Sequence, residues 1–203
     1  LAMFAGTIMS IFEKDVKKLL AHSSVAQIGY IVLGISLATS PGIASSFIHL
    51  INHALIKAGL FMSVVAMGYY TLKRIDVNSI NGLGRQVPIT FFAFVICALS
   101  LAGLPLTVGF ISKFILIKAI LLYQNWFVVI MVLLTSFLAL GYTWKIIEYI
   151  WMLKPEINKR QNEKPLILIP LITLVLFNLL FGVYAYPIIE SATVASESIS
   201  WGN

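Results

Sequence analysis

Six runs of apolar residues organise this chain, at about 1–12, 24–40, 43–72, 88–122, 126–151 and 165–187. A helix needs about 20 apolar residues to cross the ~30 Å hydrocarbon layer of a bilayer. Inside lipid every backbone polar group needs an internal partner, and a helix provides one. The runs therefore predict an all-α polytopic membrane protein with six transmembrane segments. Charged residues make up 11% of the 203, against about 25% in a soluble domain. The first run is too short to span by itself. Leu1 follows no basic segment and precedes no cleavage site, so this run is not read as a signal peptide. The chain is expected to be the C-terminal part of a longer protein, truncated at its first helix.

Two runs exceed one crossing. The run 43–72 is expected to extend beyond the hydrocarbon. The run 88–122 carries Gly103, Pro105 and Gly109 at its middle. Proline removes a backbone donor and glycine weakens a helix, so this segment reads as one crossing made of two half-helices around an unwound stretch. Such backbone is tolerated at that depth where protein or a water-filled cavity satisfies it.

The net charge of +6 reflects topology rather than nucleic-acid binding. Ten of the fourteen basic residues fall in alternate connections: Lys14, Lys17 and Lys18; Lys73, Arg74 and Arg85; Lys154, Lys159, Arg160 and Lys164. The other connections and the tail hold none. Positive charge marks the cytoplasmic side. The layout predicts these loops in the cytoplasm and the C-terminus outside. His22 is placed in the first of these loops, near the interface.

The remaining basic residues are Lys57, Lys113, Lys118 and Lys145, all within apolar runs. A charge at the bilayer centre costs about 2.5–3.5 kcal/mol on insertion scales and marks ion or proton paths. Ser45, His49, His53 and Lys57 recur every four residues, which puts them on one helix face. They climb about 18 Å of helix. Imidazole gives and takes protons near neutral pH, and a desolvated lysine amine serves as a base. The file with intervening water is a candidate proton wire. Helix–helix hydrogen bonding is the alternative reading for a single histidine. Zinc held by the two histidines or haem ligation has no further motif behind it, and Lys57 opposes a metal, so no metal site is assigned.

Lys113 follows the break directly, where backbone dipoles and water bear on it. Lys118 sits near a segment end and reads as a snorkelling lysine. Lys145 and Glu148, three apart, read as an interfacial ion pair. Cys97 is unpaired in an apolar run and reads as packing. No acidic residue lies deep in the membrane, which suits protons better than metal cations.

Four stretches resemble a known family in order and spacing. They are DVKKLLAHSSVAQIGY at 15–30, FIHLINHALIKAGLF at 47–61, INGLGRQVP at 80–88 and SLAGLPLTVGFISKF at 100–114. They resemble the antiporter-like, proton-conducting membrane subunits of respiratory complex I (NADH-quinone oxidoreductase) and of Mrp-type sodium/proton antiporters. The stretch at 107–114 is most similar to the D-type branch of the Mrp antiporter subunits. The resemblance implies a fourteen-helix fold with two inverted five-helix repeats. Residues 1–151 would be the second repeat. Residues 152–203 would be a cytoplasmic loop, the final transmembrane helix and a short external tail. It further implies that Lys57 and Lys113 lie on a proton path with His49 and His53 as relays. No cofactor or redox chemistry is then expected in this chain. The implied partners are other membrane subunits, protons, Na+ as a coupling ion and the lipid bilayer, without nucleic acid. Alternatives left open are a complex I or hydrogenase-linked proton-pumping subunit, a quinone-binding subunit and a non-conducting scaffold.

Overall fold

Asp15 decides where the second helix begins. Its carboxylate accepts from the backbone N–H groups of Lys17 and Lys18, an N-cap that satisfies otherwise orphaned donors. In the computed structural model, which describes residues 1–71, 80–152 and 161–199, α1 spans Ala2–Phe12 and α2 spans Val16–Ser36. The second segment thus starts eight residues before the expected 24. Lys17, Lys18 and His22 stand on α2 rather than in a loop, because a capped polar turn extends the helix beyond its apolar part. His22 meets Glu13 at 3.6 Å. Lys73, Arg74, Lys154, Lys159 and Arg160 lie outside the described residues.

The next helix, α3, covers Ser40–Thr71 as one 32-residue element. After a short 3-10 turn at Leu83–Arg85 come α4 (Pro88–Ala102), α5 (Val108–Leu121), α6 (Trp126–Trp151), α7 (Pro165–Val183) and α8 (Tyr186–Ser198). By length and apolarity α2, α3, α6 and α7 can each cross a membrane. The expected break is present between α4 and α5. Gly103 takes a left-handed conformation at φ 93° and its N–H returns to the Leu99 and Ser100 carbonyls, an ending that favours glycine. Pro105 and Leu106, the latter at φ 70°, carry the chain across to the Thr107 N-cap of α5.

The C-terminal end differs from expectation. The helix of the last apolar run, α7, stops at Val183 rather than at the expected 187, and a further helix, α8, follows where a short tail was expected. Polar residues hide it from a reading based on apolar runs. Its Ile188, Ile189 and Ala192 nevertheless recur at helical spacing and pack on Ala44, Ile48, Phe47 and Ile115.

α3 is central and packs against α2, α4, α5, α7 and α8. The main core joins α3 to α4, α6 and α7 through Leu60, Phe94, Leu101, Ile146 and Leu171, among others. Cys97 is buried in it, with its sulfur against Gly59.

Candidate functional site

Lys57 sits on the buried face of α3, 7% exposed. Its Nζ donates to the Leu20 carbonyl and to Ser23 Oγ, both at 2.5 Å, on α2. Lys113, 5% exposed on α5, turns back to the break. Its Nζ donates to the Leu101 and Ala102 carbonyls at 3.1 and 3.0 Å. These carbonyls close α4, where backbone acceptors are unpaired and the helix dipole is negative. The absence of a side chain at Gly103 makes this possible, since a Cβ there would meet Lys113 Cδ at 3.0 Å. The Lys113 ammonium also lies 5.0 Å from the Tyr30 ring centroid. Among the described residues no carboxylate pairs with either amine; neutral dipoles hold both.

His49 links three helices. Its Nε2–H donates to Gln27 Oε1 on α2 at 3.1 Å, and its Nδ1 lies 2.8 Å from Ser112 Oγ on α5. With Gln27 oxygen as acceptor, neutral imidazole leaves Nδ1 to accept the Ser112 O–H. The Tyr30 ring is 5.5 Å away, centroid to centroid, and its hydroxyl is hydrogen-bonded to Thr135 Oγ1 and Ser136 Oγ on α6.

The file Ser45–His49–His53–Lys57 is therefore not joined end to end. Ser45 donates to the Gly42 carbonyl within its own helix. Among the described residues the buried Nδ1 of His53 has no hydrogen-bond partner, and the residue as a whole is only partly buried. Side chains one turn apart are within reach of one another, but His49 and Lys57 bond sideways, to partners that α2 and α5 bring to them. Sequence reasoning missed Ser23, Gln27 and Ser112 as connecting groups. A signal was present: Ser23 and Gln27 are four apart in the first motif, and Ser112 precedes Lys113 in the last.

The outlying candidates separate from this centre. Lys118 is exposed and lies 4.7 Å from the Phe114 ring centroid. The expected Lys145–Glu148 pair does not form. Lys145 instead donates to the Ile11 carbonyl at 3.3 Å, because the negative end of α1 lies across from α6 and attracts its ammonium. Glu148 lines an aromatic cavity with Phe91, Phe92, Trp144 and Trp151. Among the described residues no group of three or more His, Cys, Asp or Glu side chains is placed to hold a metal.

A broken helix flanked by long apolar helices, with one buried amine at the break and another held against α2, defines a helical membrane protein with a polar interior. The chain belongs to the NADH:quinone oxidoreductase/Mrp antiporter transmembrane family, which it matches over residues 1–139. NADH-quinone oxidoreductase subunit N of Desulforudis audaxviator (strain MP104C) is 38% identical over 143 residues, covering 70% of this chain and 28% of that protein. The D-type subunit of the Na(+)/H(+) antiporter of Alkalihalophilus pseudofirmus is 31% identical over 201 residues, covering 98% and 41%. A chain of the membrane-bound sulfane sulfur reductase, an archaeal respiratory membrane complex, superposes with a TM-score of 0.90 at 30% identity, covering 98% and 40%. This chain thus spans less than half the length of each of these three relatives.

Proposed function

We propose that this chain is the second-repeat half of a proton-translocating membrane subunit, of the Mrp D type, in a multisubunit cation/proton antiporter. The observation that carries the proposal is the pair of buried lysines held by neutral dipoles, Lys57 and Lys113, set on either side of a hydrogen-bonded His49. The route runs from Lys57 to Ser23 on α2, by water to His49, which Gln27 orients through its hydrogen bond, and on to Ser112 and Lys113, with water completing the steps that lack direct bonds. His49 transfers the proton by exchanging roles between its two nitrogens. His53 serves as a branch rather than a link in this chain. In this reading residues 1–151 form the conducting repeat and 152–203 the following loop and closing helices. Basic connections face the cytoplasm of a prokaryotic inner membrane, the C-terminus lies outside, and partner subunits carry any redox chemistry.

A second reading is a proton-pumping subunit of an NADH-quinone oxidoreductase or related respiratory complex, supported by the 38% identity to subunit N. One experiment tests both readings. Lys57→Ala and Lys113→Ala are placed in the full-length protein within its complex, and proton movement is measured in inverted vesicles. Loss of about 10²–10⁴-fold, the range for removing a proton-transfer group, with assembly retained is the expected result. Normal transport by both variants rules out the path. Driving the vesicles by a Na+ gradient or by an electron donor then separates antiport from redox pumping.

A further inference from the structure

Tyr142 is a buried phenol that the route above leaves unused. It lies on α6 at 1% exposure, and among the described residues its hydroxyl has no hydrogen-bond partner. A buried hydroxyl without a hydrogen bond carries a desolvation cost, and native structures seldom leave such a group unpaired.

The packing of α6 on α2 sets what this hydroxyl faces. At one level Tyr30 on α2 bonds to Thr135 Oγ1 on α6 at 2.8 Å. At another, the end of α1 joins the two helices: Ser10 donates to the Leu19 carbonyl at 3.2 Å, and Lys145 donates to the Ile11 carbonyl at 3.3 Å. Residue numbers rise from Leu19 to Tyr30 while they fall from Lys145 to Thr135, so α2 and α6 run antiparallel. Ser23 lies seven residues before Tyr30, and Tyr142 lies seven residues after Thr135. Seven residues make about two turns and return to the same face of a helix. The register therefore sets Tyr142 opposite Ser23, and Ser23 is the side-chain hydroxyl that acts on Tyr142.

Ser23 has one place left for a donor. Its hydroxyl donates to the Leu20 carbonyl at 2.9 Å, and its Oγ accepts from Lys57 Nζ. A hydroxyl oxygen has two acceptor lone pairs. The Leu20 carbonyl, by contrast, already takes Lys57 Nζ and the hydroxyls of Ser23 and Ser24.

We propose that Tyr142 is a positioning residue for Lys57 and acts through Ser23: its O–H takes the place of the ammonium at Ser23 Oγ when Lys57 gives up its proton. The phenol keeps its own proton and turns it onto Ser23. The proton leaving Lys57 passes to the carriers of the route, and the amine remains neutral. A second donor for Ser23 favours that neutral amine and so eases release. The inference rests on the reading above, in which Lys57 carries the transported proton.

The test is the pH profile of proton transport by the full complex in inverted vesicles. Tyr142→Phe keeps the ring and removes the donor. Lys57 is then expected to hold its proton about tenfold more tightly, the effect of one net hydrogen bond, and the alkaline limb moves up by about one pH unit. In a Ser23→Ala background the same substitution is expected to move the limb no further. The other titratable groups around Lys57 are the same in all variants. His53, one turn before it on α3, is close enough to feel its charge; His22 on α2 is turned to Glu13; Cys97 on α4 lies against Gly59; and Lys113 on α5 is held at the break.

An unmoved limb overturns the proposal, and so does a further shift in the Ser23→Ala background. A shift to lower pH also overturns it, since the phenol oxygen would then be accepting from the ammonium. If Tyr142→Phe does not assemble, cryo-EM maps of the wild-type complex at the two ends of the profile carry the test. Tyr142 Oη within hydrogen-bond distance of Ser23 Oγ at high pH alone is expected, and the same separation at both ends overturns the proposal. Normal transport by Lys57→Ala in the same vesicles refutes the functional reading itself. An inactive Lys57→Ala beside an unmoved Tyr142→Phe limb refutes the role of Tyr142 alone.

Discussion

Ser112 and His49 tie the half-helix after the break to the long helix α3, with the serine oxygen 2.8 Å from the imidazole Nδ1. Neither residue reaches a charged side chain directly through this bond. Its consequence is orientation. With Gln27 on the other nitrogen, both imidazole positions are occupied and the ring presents a proton donor to α2 and an acceptor to α5.

Removing the serine hydroxyl tests that orientation. Ser112→Ala leaves Nδ1 without its donor and is expected to slow proton transport about tenfold, the effect of one net hydrogen bond. Ser112→Thr keeps a hydroxyl and restores the rate. Proton uptake by vesicles containing the full complex measures both; a wild-type rate for Ser112→Ala removes this residue from the route.

The Lys57–Ser23 contact predicts energetic coupling. A double-mutant cycle of Lys57→Met and Ser23→Ala is expected to show an interaction of about 1–2 kcal/mol, since hydrogen bonds to charged groups exceed neutral ones. Thermal unfolding of the solubilised complex measures it. Additive effects would show that Leu20 alone holds the amine.

Two glycines predict opposite signs. A Cβ on Gly109 would fall on the Ser100 carbonyl, whereas one on Gly141 meets nothing within 4 Å. Gly109→Ala is expected to destabilise by about 1–3 kcal/mol through overpacking. Gly141→Ala, within α6, is expected to stabilise by about 0.5–1 kcal/mol. Melting midpoints of the two variants measured together check the pair, and equal shifts contradict it.

Glu163 predicts a local effect far from the lysines. Its carboxylate accepts from the N–H groups of Ile89 and Thr90 and from Thr90 Oγ1, capping the start of α4. Glu163→Ala is expected to cost about 0.5–2 kcal/mol and to speed hydrogen exchange at the amides of Ile89 and Thr90. Unchanged exchange there contradicts the capping role.

The helices long enough to span a membrane were legible because apolar runs of that length have few other solutions. The break was legible because Gly103 and Pro105 interrupt such a run. Helix ends were less so. Asp15 starts α2 inside a charged stretch, and α8 alternates Glu190 and serines with the apolar residues it buries, so neither boundary follows apolarity. The Lys145–Glu148 pairing failed for a related reason. Spacing along one helix says which side chains are neighbours, and it is silent about the Ile11 carbonyl on another helix.

The sequence by itself determined that the chain is helical and membrane-embedded, that one crossing is broken, and that Lys57, Lys113, His49 and His53 sit in apolar surroundings. Composition and period suffice for this because lipid enforces helical hydrogen bonding. Only the tertiary structure decided which of these groups touch. Successive members of the α3 file are close enough to interact, yet His49 and Lys57 find their hydrogen-bond partners on α2 and α5. Contact instead depends on where α2 and α5 bring Ser23, Gln27 and Ser112, and that follows from helix packing rather than from spacing in the chain.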